Sequence, residues 1–388
     1  MHLKHGINLA YCTNIHRGET WPQTFDTLKN YSLAVRDKVS PGKPYAIGLR
    51  LGDQTSRELS DPKTLVEFQR WLERENCYVF TINGFPHGRF HGGRVKEHVY
   101  EPDWTTAARV EYTNRLFDLL AELLPPGLEG SVSTVPCSFK EFIHSEDQVS
   151  AMRRNIWTSV QHIAAVSERT GKKLHLGLEP EPLCFLETSD EAIHFIQQVR
   201  AENGNDPRLK EHLGVNYDAC HLAIEYEEPG VALRKFVENE IKISKLHFSS
   251  ALKVVPTENA LKSLKEFVDV VYFHQVIEQS TYAPLKRYKD LDVALAEFKP
   301  EGTELPEWRI HFHIPLHCRP TRLFETTADH LVGLMDELAK NPFLCSHIEM
   351  ETYTWEVLPP EMKNRSVVDQ LVGEYEWTLS GLRDRGLA

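Results

Sequence analysis

The sequence predicts a (β/α)8 barrel, and three observations lead to this prediction. Short apolar runs rich in branched residues recur along the chain, and a stretch with apolar residues at helical spacing follows each of them. Repeated units of this kind indicate a parallel sheet. Eight repeats with an excursion before the last fit a closed barrel better than an open doubly wound sheet, and no GxGxxG motif follows an early strand.

The repeat runs through most of the chain. The first seven predicted strands are 6–10, 45–51, 78–82, 130–135, 174–179, 213–217 and 243–248. The predicted helices between and after them are 24–39, 62–75, 104–124, 148–169, 189–201 and 230–239. The fifth of these helices opens with a capping pattern, Thr188 to Glu191, which supports its predicted start.

The repeat is interrupted at about residues 251–306. This segment contains a predicted helix at 259–268 and a predicted strand at 270–277. A strand at 308–314 and a helix at 327–340 resume the pattern, and residues 347–351 supply one more strand. We therefore expect residues 1–388 to form a single barrel domain, with the segment inserted between strands seven and eight.

Composition limits the classes of function. The chain has 388 residues, of which 41% are hydrophobic and 26% charged, as is typical of globular proteins. The net charge of −12 disfavours a nucleic-acid binder. No apolar run is long enough to span a bilayer, and the N-terminus lacks the apolar core of a signal peptide. Seven cysteines without a CxxC pair indicate a reduced, cytoplasmic protein.

Acids and imidazoles mark the ends of four predicted strands. Glu179 ends strand five, Asp218 and His221 follow strand six, His247 ends strand seven and Glu351 ends strand eight. The carboxyl ends of barrel strands meet at one mouth, where active sites lie. Carboxylates converging there would repel each other unless a cation lay among them. The pattern therefore predicts a divalent metal site, and Asp-x-x-His can serve one metal or two neighbouring ones.

Two further histidines and several other side chains are candidates for the same mouth. His311 and His313 share one face of the strand predicted at 308–314, as Glu349 and Glu351 share one face of strand eight. We expect substrate contacts from side chains in the loops after strands three, five and eight. A solvated or structural role is the alternative, above all for the two histidines of a Gly- and Pro-rich loop. These candidates are Asn83, His87, His91, Glu181 and Trp355.

The order of these residues resembles the xylose isomerase-like barrel superfamily, which includes sugar epimerases and abasic-site nucleases of the endonuclease IV class. A histidine-rich set of ligands favours Zn, Mn, Fe or Co over Mg. The strand-four histidine of the nucleases has no counterpart, because Thr134 to Cys137 stand there, which argues against three metals. The positions that match the superfamily are Glu179, Asp218 with His221, His247, His311 with His313, and Glu351.

A narrower resemblance rests on three motifs in residues 83–104. They are NGFPHG at 83–88, FHG at 90–92 and VYEPDW at 99–104. They are similar to motifs of the EboE family of metabolite traffic proteins, which accompany a UbiA-like prenyltransferase in ebo gene clusters. The resemblance implies a role in making or exporting a secondary metabolite, and it brings no settled reaction.

These observations lead to a hypothesis about mechanism. Four residues would bind a first metal, and Glu179 and Glu351 would remove and return a proton beside a substrate carbonyl. A second metal would be held by His221, His311 and His313; otherwise His221 would contact substrate hydroxyls. We therefore expect a sugar or polyol isomerase or epimerase. The four first-metal residues are Glu179, Asp218, His247 and Glu351.

Two other functions stay open at this stage. One is a hydrolase that uses zinc ions to cleave a small phosphate ester. The other is a carrier that keeps the barrel and the metal without turnover. In each case we expect a small-molecule partner such as a sugar, cyclitol or related polyol, no nucleic acid and no membrane span. A homo-oligomer is compatible with the sequence.

Overall fold

The computed structural model describes residues 1–281, 283–300, 304–358 and 365–388. Branched and apolar residues form short strands, and those of the barrel are buried along almost their whole length. The strands in this part of the chain are β1 (Asn8–Tyr11), β2 (Tyr45–Arg50), β3 (Cys77–Asn83), β4 (Glu129–Thr134), β5 (Lys173–Leu178), β6 (Leu213–Asp218), β7 (Lys242–Phe248), β8 (Leu252–Val254), β9 (Val276–Ser280), β10 (Ala283–Tyr288), β11 (Glu307–Ile310), β12 (Glu325–Thr326) and β13 (His347–Met350).

Eight of these strands form a nearly closed parallel barrel. Their order around it is β1-β13-β7-β6-β5-β4-β3-β2, and neighbouring strands in this order run parallel. An isolated parallel bridge between Cys12 and Gly48 joins the two ends of this series. The predicted (β/α)8 barrel is confirmed, and all carboxyl ends of its strands meet at one mouth.

Helices surround the barrel and connect its strands. Capping boxes begin α1, α6 and α7, and the one at Thr188 confirms the predicted start of that helix. A π-helical turn, Leu28–Ser32, joins α1 to α2. The helices are α1 (Trp21–Thr27), α2 (Leu33–Val39), α3 (Asp53–Leu59), α4 (Pro62–Arg74), α5 (Ala107–Leu123), α6 (Glu146–Thr170), α7 (Ser189–Glu202), α8 (Pro207–His212), α9 (Ala219–Ile224), α10 (Pro229–Glu238), α11 (Glu258–Leu264), α12 (Leu291–Glu297), α13 (Ala328–Lys340) and α14 (Val367–Asp384).

Between β7 and β13 the chain forms a second, antiparallel sheet. Its order is β10-β9-β11-β8-β12. The strand predicted at 308–314 is wrong in two respects, because β11 ends at Ile310 and pairs with β8 and β9 instead of continuing the barrel. Residues 282 and 301–303 of the predicted insertion lie outside the described residues.

The barrel interior carries a polar column below the mouth. Thr81, Ser131 and Ser133 are fully buried, and the hydroxyls of Thr81 and Ser131 lie 2.8 Å apart. Lys245 and Glu349 are equally buried. Polar groups are stable inside a core only when they are paired. The buried polar side chains of the column are therefore the partners that the residues at the mouth can contact from below. No helix in the described part of the chain is long and apolar enough to cross a membrane.

Candidate metal centre

Three carboxylates surround one nitrogen of His247 at the barrel mouth. Nδ1 of His247 lies 3.0 Å from Oε1 of Glu179, 3.2 Å from Oδ2 of Asp218 and 3.1 Å from Oε2 of Glu351. The four side chains are at most 5% exposed. Three anions this close together in a buried place require a positive charge among them. The structure therefore brings together the four residues predicted to bind a first metal.

The other nitrogen of His247 is held from below. Nε2 lies 2.9 Å from Oε2 of Glu349, and the same oxygen accepts a hydrogen bond from Nζ of Lys245 at 2.6 Å. Lys245 also donates to the hydroxyl of Ser133. Because Glu349 accepts the proton on Nε2, Nδ1 is the nitrogen that faces the three carboxylates.

Hydrogen-bond donors fix two of the carboxylates. Oε1 of Glu351 accepts hydrogen bonds from the amides of Asn14 at 2.8 Å and Asn83 at 3.0 Å. Oδ1 of Asp218 accepts from the hydroxyl of Ser249 at 2.6 Å and from the backbone N–H of His221. These contacts leave the opposite oxygen of each carboxylate directed at His247.

The charges of the cluster shift its titration. Burial lowers the pKa of His247, but Glu351 and Glu179 raise it well above its ordinary value. Burial raises the pKa of Asp218, but His221 and His247 bring it well below its ordinary range. The three carboxylates thus favour a positive charge at Nδ1 of His247, and a bound cation would satisfy the same field.

The donor set and one unpaired atom fit a divalent cation. Oε2 of Glu179 is buried and has no hydrogen-bond partner among the described residues. Three carboxylates and one imidazole are ligands that Zn²⁺ and other transition metals accept. Glu179, Asp218, His247 and Glu351 each offer one ligand atom, and these atoms lie within 4.8 Å of one another. We call these four residues the first cluster.

Three histidines form a second cluster beside the first. Nε2 of His311 lies 3.1 Å from Nε2 of His221 and 3.1 Å from Nε2 of His313, and the remaining pair is 3.4 Å apart. Two nitrogen ligands bound at about 2.0–2.1 Å to one tetrahedral zinc ion lie about 3.3 Å apart. The spacing of the second cluster matches that value.

Each histidine of the second cluster is oriented through its other nitrogen. Nδ1 of His221 lies 3.0 Å from the carbonyl oxygen of Pro180, and Nδ1 of His311 lies 2.8 Å from Oε1 of Gln275. Nδ1 of His313 lies 3.1 Å from the carbonyl oxygen of Glu351. Because an acceptor faces every Nδ1, the neutral rings carry their proton there and turn three bare Nε2 atoms toward one another.

Burial favours the neutral form of two of these rings, His221 and His311. It lowers the pKa of His221 to about 4, although Asp218 opposes the shift. It also brings the pKa of His311 well below its ordinary value, with His221 and His313 adding to the effect. Neutral imidazoles are the form that binds a metal, and three converging lone pairs repel each other without one.

The two clusters are neighbours. Oδ1 of Asp218 lies 4.0 Å from Nε2 of His221, and Nδ1 of His313 lies 3.8 Å from Oε2 of Glu351. Asp218, His221 and His313 also present ligand atoms within 4.8 Å of one another. Asp218 therefore contacts both clusters, as the Asp-x-x-His motif predicts for two adjacent metals.

A pocket opens above the clusters, and Glu181 stands in its wall. Glu179, Glu351, His221 and His311 contribute to the lining. Glu181 accepts a hydrogen bond from the Tyr100 hydroxyl at 2.7 Å. Burial raises the pKa of Glu181 to about 8 despite that bond. Glu181 therefore reaches the pocket, where the sequence predicts a substrate contact.

Three of the predicted substrate contacts do not line this pocket. His87 is turned toward α3 and α5, where its ring packs on Tyr112 and Nε2 lies 3.6 Å from Oδ1 of Asp53. His91 bonds the carbonyl oxygen of Asn14 at 2.7 Å. Trp355 packs into the core. The structure therefore does not place these three side chains at the pocket, because an irregular loop has no periodicity that gives the direction of a side chain. Their role as substrate contacts stays a prediction.

Sequence reasoning missed several residues that hold the clusters. Asn14 follows β1, and its only sequence signal is its place after the first strand. Lys245 lies two residues before His247, so strand alternation places both side chains on the same face. Glu349 stands in the same relation to Glu351, and its contact with Nε2 of His247 could not be read from spacing alone.

Comparisons with known proteins give matches in structure and none in sequence. No protein-family model and no curated protein sequence match this chain. A D-psicose 3-epimerase from Clostridium cellulolyticum H10, solved with D-tagatose, superposes with a TM-score of 0.54 at 12% identity, over 98% of this chain and 100% of that one.

Two further solved structures are similar to the same extent. A xylose isomerase-like TIM barrel protein from Mycobacterium smegmatis, in complex with magnesium, has a TM-score of 0.54 at 12% identity, over 98% of this chain and 97% of that one. A D-tagatose 3-epimerase-like protein has a TM-score of 0.50 at 11% identity, over 98% and 100%. At this identity the similarity shows the fold alone: the chain has the same (β/α)8 barrel as these three proteins.

Proposed function

We propose that the protein is a metal-dependent isomerase or epimerase that moves a proton on a sugar or related polyol through an enediolate. One observation carries the proposal. Three carboxylate oxygens lie within 3.2 Å of Nδ1 of His247, and Glu179 and Glu351 also line the pocket above. Carboxylates placed this way can take up and return a proton next to a carbonyl group.

The first cluster would hold the catalytic metal. When bound, a divalent cation would polarise a substrate carbonyl as a Lewis acid. The imidazole in the set and the histidines of the second cluster favour Zn, Mn, Fe or Co over Mg. Because the similar M. smegmatis barrel is in complex with magnesium, elemental analysis of the bound metal tests this preference.

Glu179 and Glu351 differ in the hydrogen bonds that their carboxylate oxygens accept, and this difference indicates their roles. Oε1 of Glu351 accepts two amide hydrogen bonds, which occupy that oxygen and fix the side chain in place. Oε2 of Glu179 accepts none from the described residues. We therefore assign proton removal to Glu179, with Glu351 as a ligand that can return the proton on the opposite side.

Deuterium exchange tests this assignment. The metal-loaded protein is incubated in D2O with D-psicose, D-tagatose and related ketoses, and deuterium beside the carbonyl is measured by mass spectrometry. Glu179→Gln is expected to lower exchange per bound metal by about 10²–10⁴-fold. Glu227→Gln, which alters a carboxylate that accepts from the N–H of Ser189, is the matched control. Wild-type exchange in Glu179→Gln would exclude the base role.

A hydrolase is the second candidate, and the second cluster favours it. A proton transfer through an enediolate needs one metal, whereas the three converging Nε2 atoms provide for another. Two zinc ions would suit cleavage of a small phosphate ester. Phosphate release from such esters without deuterium exchange would support hydrolysis, and binding without either activity would support a carrier.

The setting of the reaction is also a proposal. The motifs in residues 83–104 are similar to those of the EboE family, so we propose a cytoplasmic step in a secondary-metabolite pathway. The net charge of −12 agrees with a small-molecule partner and no nucleic acid. A comparison of metabolites between cells with and without the protein tests the pathway, and sedimentation tests whether it forms a homo-oligomer.

A further inference from the structure

The pocket above the first cluster has two chemically different layers. Its floor is polar and consists of the carboxylates, amides and imidazoles described above. Its roof is aromatic. The cavity between the lining atoms has a volume of about 50 Å³. The roof residues are Phe85, Phe90, Tyr100, Tyr272, Phe273 and Tyr353.

Three of the roof rings pack on one another and on the second cluster. The ring centroids of Phe90, Tyr272 and Tyr353 lie 5.2, 5.3 and 5.4 Å apart in pairs. The Tyr353 ring lies 4.7 Å from that of His313. An aromatic surface thus begins directly at the metal-binding side chains and continues away from them.

The described residues that line the pocket include one cationic side chain, Lys96, and no arginine. The amine of Lys96 is paired with the carboxylate of Asp290, and both side chains are largely buried. Sites for phosphate groups present arginine forks, available lysines or helix N-termini. The pocket wall offers no such group for a phosphate.

We infer that the substrate is an uncharged hydroxy-carbonyl compound or polyol that carries an aromatic or other apolar substituent. The inference rests on the proposed function and narrows its substrate class. The hydroxy-carbonyl end lies on the polar floor, and the apolar part lies against Phe90, Tyr272 and Tyr353. A phosphate group on the apolar side of this substrate is disfavoured, because it would lie against aromatic rings without a counter-charge.

Two chain segments, one around Val95 and the other around Val271, meet at the roof. The backbone N–H groups of Val95 and Lys96 both donate to the carbonyl oxygen of Val271, at 2.8 and 2.9 Å. Phe90, Val95 and Tyr272 form a small apolar cluster of their own, apart from the main core. The hydroxyl of Tyr272 also donates to the carbonyl oxygen of Phe90 at 3.2 Å and lies 2.8 Å from Nδ1 of His91, so a bulky apolar group enters only when these contacts rearrange.

A simpler role for the roof is to exclude water from the reaction. In that case an apolar substituent on the ligand would add nothing to binding. Matched small ligands separate the two roles. Hydroxyacetone and 2-hydroxyacetophenone share the hydroxy-ketone and differ in carrying a methyl or a phenyl group. Acetophenone keeps the phenyl group without the hydroxyl, and dihydroxyacetone phosphate adds a charge.

The test is calorimetric titration of the metal-loaded protein with these four compounds. 2-Hydroxyacetophenone is expected to bind at least tenfold more tightly than hydroxyacetone and than acetophenone, and dihydroxyacetone phosphate no more tightly than hydroxyacetone. Equal affinity of the methyl and phenyl ketones, no binding of the phenyl ketone, or tenfold preference for the phosphate would each overturn the inference.

A variant tests whether the aromatic roof causes the preference for the phenyl ketone. Phe90→Ala is expected to lower affinity for 2-hydroxyacetophenone tenfold or more and to change hydroxyacetone binding less than twofold. Phe343→Ala is the control, since this phenylalanine is 82% exposed and precedes the opposite end of β13. An unchanged phenyl preference in folded Phe90→Ala overturns the inference. The titration measures binding without turnover. If the protein prefers the phenyl ketone but gives no deuterium exchange, the isomerase proposal fails and the inference about the substrate stands.

Discussion

Oε2 of Glu349 lies 2.9 Å from Nε2 of His247, and this contact sets the orientation of the first cluster. Burial raises the pKa of Glu349, but Lys245 and His247 hold it at about 2, so the carboxylate is ionised at neutral pH. An ionised acceptor keeps the proton of His247 on Nε2 and leaves Nδ1 for a cation. Glu349 is thus a positioning residue: it orients His247, and it is not itself a ligand of the cation.

Replacing Glu349 is therefore expected to weaken metal binding without removing a ligand. Glu349→Gln takes away the charge that holds His247 and leaves Lys245 buried beside a neutral amide. Loss of such an outer partner lowers metal affinity about 10–100-fold. The measurement is competitive zinc titration against a chelating dye. Glu227→Gln is the control, and equal affinity of Glu349→Gln and wild type would contradict the positioning role.

Gly48 makes room for this arrangement. A Cβ at that position would overlap Oε1 of Glu349 and lie 2.5 Å from the carbonyl oxygen of Tyr11. Both obstacles belong to buried groups with fixed partners, so Gly48→Ala is expected to lower the free energy of unfolding by about 2 kcal/mol or more. Urea denaturation measures this change.

Gly88→Ala provides the matched control for that substitution. A Cβ at Gly88 meets no atom within 4 Å, so its effect on stability is expected to stay within about 0.5 kcal/mol. If both alanine variants unfold at the same urea concentration, the close packing between β2 and Glu349 is not a constraint on the fold.

The sequence allowed the first cluster to be located, because parallel strands place their ends together. The four residues of this cluster lie at or just after such ends. In the structure, Glu179, Asp218 and Glu351 meet at Nδ1 of His247. The partners that orient them were harder to predict. Asn14 belongs to a 3-10 turn, where no hydrophobic period reports the direction of a side chain.

The second cluster shows a different limit. Residues 308–314 have the alternation of a strand, yet β11 ends at Ile310. His311 and His313 reach the mouth through irregular backbone, fixed by bonds such as that from the N–H of His311 to the carbonyl oxygen of Gln275. Alternation predicted that both side chains reach the mouth, but it did so through a barrel strand that does not form, since short patterns do not show which sheet a strand joins.

Removal of one histidine tests the second cluster. His311→Gln leaves two Nε2 atoms facing each other and keeps a polar side chain opposite Gln275. After dialysis against zinc, wild-type protein is expected to retain two equivalents and the variant one, as measured by elemental analysis. His330→Gln changes a buried histidine that bonds Tyr217 instead, and it is expected to retain two equivalents. Two equivalents in His311→Gln would contradict a shared site.

Glu374 is expected to give the protein a pH-dependent stability. Burial raises the pKa of its carboxyl to about 7, and its hydrogen-bond donors, Thr352, Gln370 and the N–H of Leu316, are all uncharged. The unfolded chain ionises this group near pH 4.5, so the folded state is the stronger proton binder between the two values. Stability therefore falls as pH rises through this window and the loss is complete above pH 7.

Glu374→Gln should remove that dependence. The wild type carries a cost on the order of 3 kcal/mol above pH 7, because the pKa of this carboxyl is about 7 in the fold and 4.5 in the unfolded chain. The variant keeps an acceptor for Thr352 and cannot ionise. It is therefore expected to gain stability relative to wild type between pH 5 and pH 8, measured as the difference in urea unfolding free energy at the two values. A difference that does not change with pH would show that Glu374 is ionised in the fold throughout this range.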